Sequence, residues 1–136
     1  MSERTRLGVV LLFMRITIFV VMAMWTIDKF VNPSHASHVY EAYYGLGGFG
    51  VSPITLIAVV EALILLVFVA GRLKFWTYGF VVIVHGVSTL AAWAQYLDPF
   101  AGPNLLFFAA WPMWAAAIAL FVLRERDIYT LGRDTR

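Results

Sequence analysis

The sequence predicts an all-α integral membrane protein: a four-helix bundle with both termini inside and a short interfacial helix between the first two spans. Three observations predict it. Hydrophobic residues make up 62% of the chain and charged residues 13%, against about 45–50% and about 25% in soluble domains. So few charges cannot clothe a water-facing surface, so most of this one faces lipid. The apolar residues gather into four runs, 7–31, 52–71, 75–97 and 104–123, each near the roughly 20 residues a span requires. The basic residues cluster on one side of those runs.

The chain of 136 residues is read as a single membrane domain, 1–136. In lipid the backbone must satisfy its own hydrogen bonds, so each apolar run is expected to be helical. The first run is too long for a signal-peptide core and no small-residue cleavage site follows it. Residues 32–51 form an outer loop. It opens on Asn32-Pro33-Ser34, where Ser34 is a candidate cap for a short helix. Tyr40, Tyr43, Tyr44 and Phe49 suit the bilayer interface, and Gly45, Gly47, Gly48 and Gly50 give a flexible exit. Residues 71–74 read as a tight helical hairpin, and residues 98–103, with two prolines, as a turn. Pro112 is expected to kink the fourth span.

Orientation follows from charge. Arg4, Arg6, Arg72, Lys74, Arg124, Arg126, Arg133 and Arg136 fall on one side and only Lys29 on the other. The positive-inside rule places both termini in the cytoplasm, in a membrane of the bacterial inner-membrane type. A net charge of +2, carried beside the spans, points to lipid headgroups rather than nucleic acid. The absence of cysteine excludes a disulfide framework, a thiol relay, a cysteine-held iron–sulfur site and covalent c-type haem.

Ionisable groups inside a membrane are costly and each asks for a reason. Arg15, Glu61 and His85 are the three. Helical rise puts Arg15 roughly 12 Å deep and the other two roughly 15 Å deep. They are read as one intramembrane polar cluster, with Arg15 and Glu61 as an ion pair. Its leading reading is structural glue between helices. A proton-handling, quinone-binding or ligand-binding site is the alternative, and a cofactor ligand the third. Arg15 shares a helical stripe with Met22, Thr26 and Lys29, and His85 with Tyr78, Thr89 and Tyr96, with Ser88 close by. Asp28, Lys29, Glu41, Gln95 and Asp98 are candidates for an outer mouth. Asp28 and Lys29 also read simply as the headgroup end of the first span. His35 and His38, three apart, are weak candidates for a metal, with Glu41 the one obvious third ligand. A b-type haem commonly takes two facing histidines. His85 alone offers no more than single axial ligation of a haem or chlorin, so no intrinsic cofactor is expected.

Arg15 early in the first span, Thr26-Ile-Asp-Lys29-Phe30 at its end, and Glu61 followed by Gly71 in the second span together resemble the DoxX family of small four-helix membrane proteins. The resemblance runs from Arg15 to about Leu123, with Thr26 where that family usually has Gly and no Gly just after Glu61. DoxX-like proteins are similar to the membrane subunit of thiosulfate:quinone oxidoreductase, and others are tied to redox assemblies and oxidative stress. The resemblance implies an accessory subunit of a quinone-linked respiratory or redox complex. Membrane lipids and other membrane subunits would be its partners, and the resemblance does not establish catalysis of its own. The alternatives are a thiosulfate:quinone oxidoreductase-like enzyme subunit and a small transporter.

Overall fold

The computed structural model describes residues 1–132; Arg133 and Arg136, counted in the charge asymmetry, lie outside the described residues. The described residues form helices and turns without a strand. The first helix, α1 (Glu3–Val31), starts a turn before its apolar run because the Ser2 hydroxyl accepts from the Thr5 N–H, capping it. Its buried stripe is Gly8, Leu11, Arg15, Ile18, Met22, Thr26 and Lys29, a helical spacing that turns the polar members inward.

The segment between the first two apolar runs holds α2 (Pro33–Tyr44). Asn32, not Ser34, is the residue between α1 and α2: its N–H closes α1 on the Asp28 carbonyl, and its own carbonyl accepts from the Ala36 N–H. Pro33 then takes the first helical position, where its missing N–H costs nothing. Gly45 ends α2 in the left-handed region at φ 66°. Next comes α3 (Val51–Val69). The following hairpin uses Gly71 at φ 70° and Leu73 at φ 48°. A methyl group on Gly71 would lie 2.6 Å from the Arg15 Nη1 and 2.5 Å from Thr130, so this turn is sealed by side chains from elsewhere.

The third run is broken into α4 (Lys74–Ala91) and α5 (Trp93–Leu97) at Ala92. The fourth opens as a 3₁₀ segment, Asn104–Ala109, that continues into α6 (Ala110–Val122). Pro112 therefore falls in the first turn of α6. The expected mid-span kink is replaced by this change of helical pitch, since a proline near a helix start forfeits no internal hydrogen bond.

Three of these segments, Glu3–Val31, Val51–Val69 and Asn104–Val122, are long and apolar enough to cross a membrane. α1 packs chiefly on α3 and α4 chiefly on α6, and α1–α6 and α3–α4 contacts complete the assembly. Leu11, Ile18, Met22, Leu65, Phe68, Tyr78, Val81, Ala117 and Leu120 make the shared core. Small residues set its closest approach: a methyl group on Gly86 would meet the Trp114 indole 2.6 Å away, and Trp114 donates to the Val82 carbonyl at 3.0 Å. Outward, Phe13, Trp76, Ile83, Trp93 and Leu106 are exposed, as lipid-facing positions would be.

Candidate functional site

The three intramembrane residues expected to form one cluster are divided between two. Arg15 does not meet Glu61. It donates through Nη1 to the Asp127 carboxylate and, at 3.1 Å, to the Tyr78 hydroxyl, and through Nη2 to the Tyr129 carbonyl. Tyr78 in turn donates to the same Asp127 oxygen. Arg15, Tyr78 and Asp127 are all at most 2% exposed. The physical reason for the correction is reach: a guanidinium on a long stem can lean a full turn along its helix, and here it leans toward the segment after α6. Asp127 was missed because it follows Arg124-Glu125-Arg126, a charged run that reads as solvated tail.

Glu61 instead pairs with Lys29, Oε2 to Nζ at 2.9 Å, with both side chains about nine-tenths buried. The contact is one of charge rather than a well-aligned hydrogen bond: the Glu61 Oε2 has no hydrogen-bond partner, and the Lys29 ammonium donates to the Trp25 carbonyl at 3.3 Å. Lys29, read as an outer-face residue, thus reaches inward along its stripe. His85 stands apart from both pairs on the same interior, its Nε2 3.1 Å from the Ala110 carbonyl.

Lys29, Glu61 and His85 share one cavity of about 480 Å³, lined by α1, α2, α3, α4, α5, the 3₁₀ segment and the start of α6. Its volume falls within the roughly 300–1,000 Å³ of small-molecule sites. Trp25, Tyr40, Tyr43, Tyr44, Tyr96 and Phe107 give it flat aromatic walls, and Met22, Val21 and Val84 an apolar floor. α2 closes one side, tied by Tyr44 to the Ser88 hydroxyl at 2.7 Å and by Ser37 to the Phe49 carbonyl at 2.7 Å. Burial, the nearby Glu61 charge and Tyr44 raise the Tyr40 hydroxyl above the usual tyrosine range, so it stays a donor.

The remaining candidates sit at the rim or outside. Asp28 and His35 line the cavity and bond to each other, Oδ2 to Nδ1 at 2.7 Å. His38 also lines it, but His35 and His38 have no converging third ligand: among the described residues no group of three His, Cys, Asp or Glu side chains converges. Glu41 is exposed and packs on Gly47. Asp98 is exposed, its backbone carbonyl accepting from the Asn104 amide. Neither forms part of the cavity wall. His85 suits axial ligation poorly, because the ring nitrogen a metal ordinarily takes already faces a carbonyl. Compared with family models, curated proteins and solved structures, the chain matches none.

Proposed function

We propose that this chain is a DoxX-like four-helix membrane protein of the bacterial-type inner membrane, an accessory subunit that gives a quinone-linked redox assembly a site for a quinone headgroup. The observation that carries the reading is the cavity. It sets a buried ammonium, phenol hydroxyls and an imidazole among aromatic walls. A quinone needs donors for its two carbonyl oxygens, flat surfaces for its ring and an apolar setting for its chain. Lys29 and Tyr40 supply the first, and Trp25 and Tyr43 the second. Glu61 holds the Lys29 ammonium at depth, where it would otherwise be too costly to bury. Because the chain has no cysteine for a redox centre, the proposed role is to bind and position the quinone, with electron transfer left to partner subunits.

The four-span topology is supported by where α1 starts and where the segment after α6 lies. A methyl group on Gly8 would touch Ile128 and Tyr129, so the start of α1 and the segment after α6 share one end. Between two segments on one side, the chain crosses an even number of times. With α1, α3 and the α6 segment as crossings, α4 is the fourth. Arg4, Arg6, Arg72, Lys74, Arg124 and Arg126 belong to that end, which favours the cytoplasm.

The test is titration of a short-chain benzoquinone into the detergent-purified protein, followed by quenching of tryptophan fluorescence. Saturable quenching is expected, and Ala36→Phe, which fills the cavity from α2, should abolish it. Quenching that never saturates, or that is equal in Ala36→Phe, would overturn the proposal.

A further inference from the structure

We infer that Arg15 and Tyr78 form a carboxylate-binding site, and that Asp127 is its resident, exchangeable ligand. The segment after α6 would then be a strap that closes the terminal end of the protein reversibly. The inference is independent of what the outer cavity holds.

The site has the chemistry of carboxylate recognition. A guanidinium and a phenol hydroxyl converge on one oxygen of Asp127, and charge-assisted bonds of this kind are the strong ones. It is built into the helices rather than into the strap. Arg15 belongs to α1 and Tyr78 to α4, and the Phe68 ring packs edge-on against Tyr78 at 5.2 Å between centroids. Gly8 and Gly71 leave the space through which the strap approaches, since a methyl group at either would collide with Ile128 or Thr130.

Two observations mark the ligand as exchangeable. The first is incomplete pairing. The Arg15 Nε and the second Asp127 oxygen, Oδ1, are both buried without a hydrogen-bond partner. A carboxylate free to choose its angle would meet the guanidinium fork with both oxygens. One tethered to the chain here does not, so a free carboxylate can gain a bond that Asp127 lacks. The second is how the strap is held. Asp127 is 1% exposed, but the apolar side chains beside it, Ile128, Tyr129 and Leu131, are 37%, 40% and 73% exposed. Bonds to its backbone add the Leu131 N–H to the Ala70 carbonyl at 2.8 Å, Lys74 to the Asp127 carbonyl at 3.0 Å, and the Arg15 guanidinium to the Tyr129 carbonyl. Among the described residues of the strap, the carboxylate-bearing Asp127 is the most deeply buried, and the apolar side chains beside it are only partly covered.

The experiment uses the full chain in detergent, which has no native cysteine to interfere. Thr130→Cys places a reporter thiol on the covered side of the strap, where it packs against Gly71. In this otherwise unaltered protein, acetate should speed labelling by a thiol reagent several-fold over chloride at equal ionic strength. Adding Asp127→Ala should give fast labelling without acetate. In the same background acetate should raise the melting temperature, and Arg15→Met should remove that rise. Equal labelling in acetate and chloride would overturn the inference even if Asp127→Ala fails to fold. So would an acetate response that survives Arg15→Met.

Discussion

If Arg15 serves Asp127 and Lys29 serves Glu61, double-mutant cycles must find coupling within each pair and none between them. The substitutions are Arg15→Met, Asp127→Ala, Lys29→Met and Glu61→Leu. All four side chains are largely buried, at 2% and 0% exposure for the inner pair and 11% and 9% for the outer. Removing one member of such a pair strands a charge where water cannot reach it, at a cost of about 3–5 kcal/mol. Removing both costs less, because no lone charge remains. Asp127→Ala should be the worst single change, since a guanidinium stays charged at any working pH. Lys29→Met with Glu61→Leu should be better tolerated than Glu61→Leu alone. Coupling of roughly 0.5–3 kcal/mol is expected within each pair. The crossed cycle, Arg15→Met with Glu61→Leu, should be additive to within about 0.5 kcal/mol. The assay is reversible unfolding in mixed micelles, with each variant titrated under the same conditions. Coupling between Arg15 and Glu61 as large as that within either pair would refute the division into two sites.

Gly86→Ala should lower the melting temperature, because its methyl group must displace the Trp114 indole and its bond to Val82; Gly86→Ala with Trp114→Phe should recover part of the loss. Stability should decline on the alkaline side through Tyr40. Its hydroxyl is raised above the ordinary tyrosine value, so the stabilisation is complete below that ordinary value and is lost as pH climbs through the raised one. Tyr40→Phe should flatten this limb in melting curves recorded across alkaline pH, and an unchanged limb would count against the burial of that hydroxyl. Single cysteines at Ser2 and Ser34, both exposed, should differ in intact cells: a membrane-impermeant thiol reagent should label Ser34→Cys and spare Ser2→Cys. Labelling at Ser2→Cys would reverse the orientation.

The apolar runs of the sequence mark out α1, α3 and the α6 segment to within a few residues, because apolar length and backbone satisfaction decide a helix in lipid almost alone. The inward stripe of α1 was legible for the same reason: Arg15, Met22, Thr26 and Lys29 recur at helical spacing and all are buried. Partners were not legible. Depth along a helix fixes a Cα to within a turn, but Lys and Arg side chains reach farther than a turn. Lys29 counted as an outer residue by its Cα and belongs to the interior by its ammonium. Asp127 carries no local signal at all, since its burial depends on a chain reversal after Val122 that no apolar run announces. The break at Ala92 was equally hidden, in a run whose composition is continuous.

The separation of the two ion pairs has a consequence for access. Arg15 and Lys29 lie fourteen positions apart on α1, roughly 21 Å of helix. The Arg15–Asp127 pair fills the end where α1 starts, with Arg15, Tyr78 and Asp127 closing it and Gly8 and Gly71 leaving room for the strap. The cavity begins beyond that plug, at Met22 and Val84, and extends to α2. The Arg15–Asp127 plug and α2 thus stand at opposite ends of the cavity. Of the two, α2 is held by few side-chain bonds, Tyr44 to Ser88 and His35 to Asp28 among them, and runs out into Gly45, Gly47, Gly48 and Gly50. Breaking the Tyr44–Ser88 bond costs about 1 kcal/mol, far less than separating either buried ion pair. Tyr44→Phe should therefore speed ligand exchange while leaving the melting temperature nearly unchanged, measured as the dissociation rate of the benzoquinone probe. An unchanged rate would mean that exchange does not pass under α2.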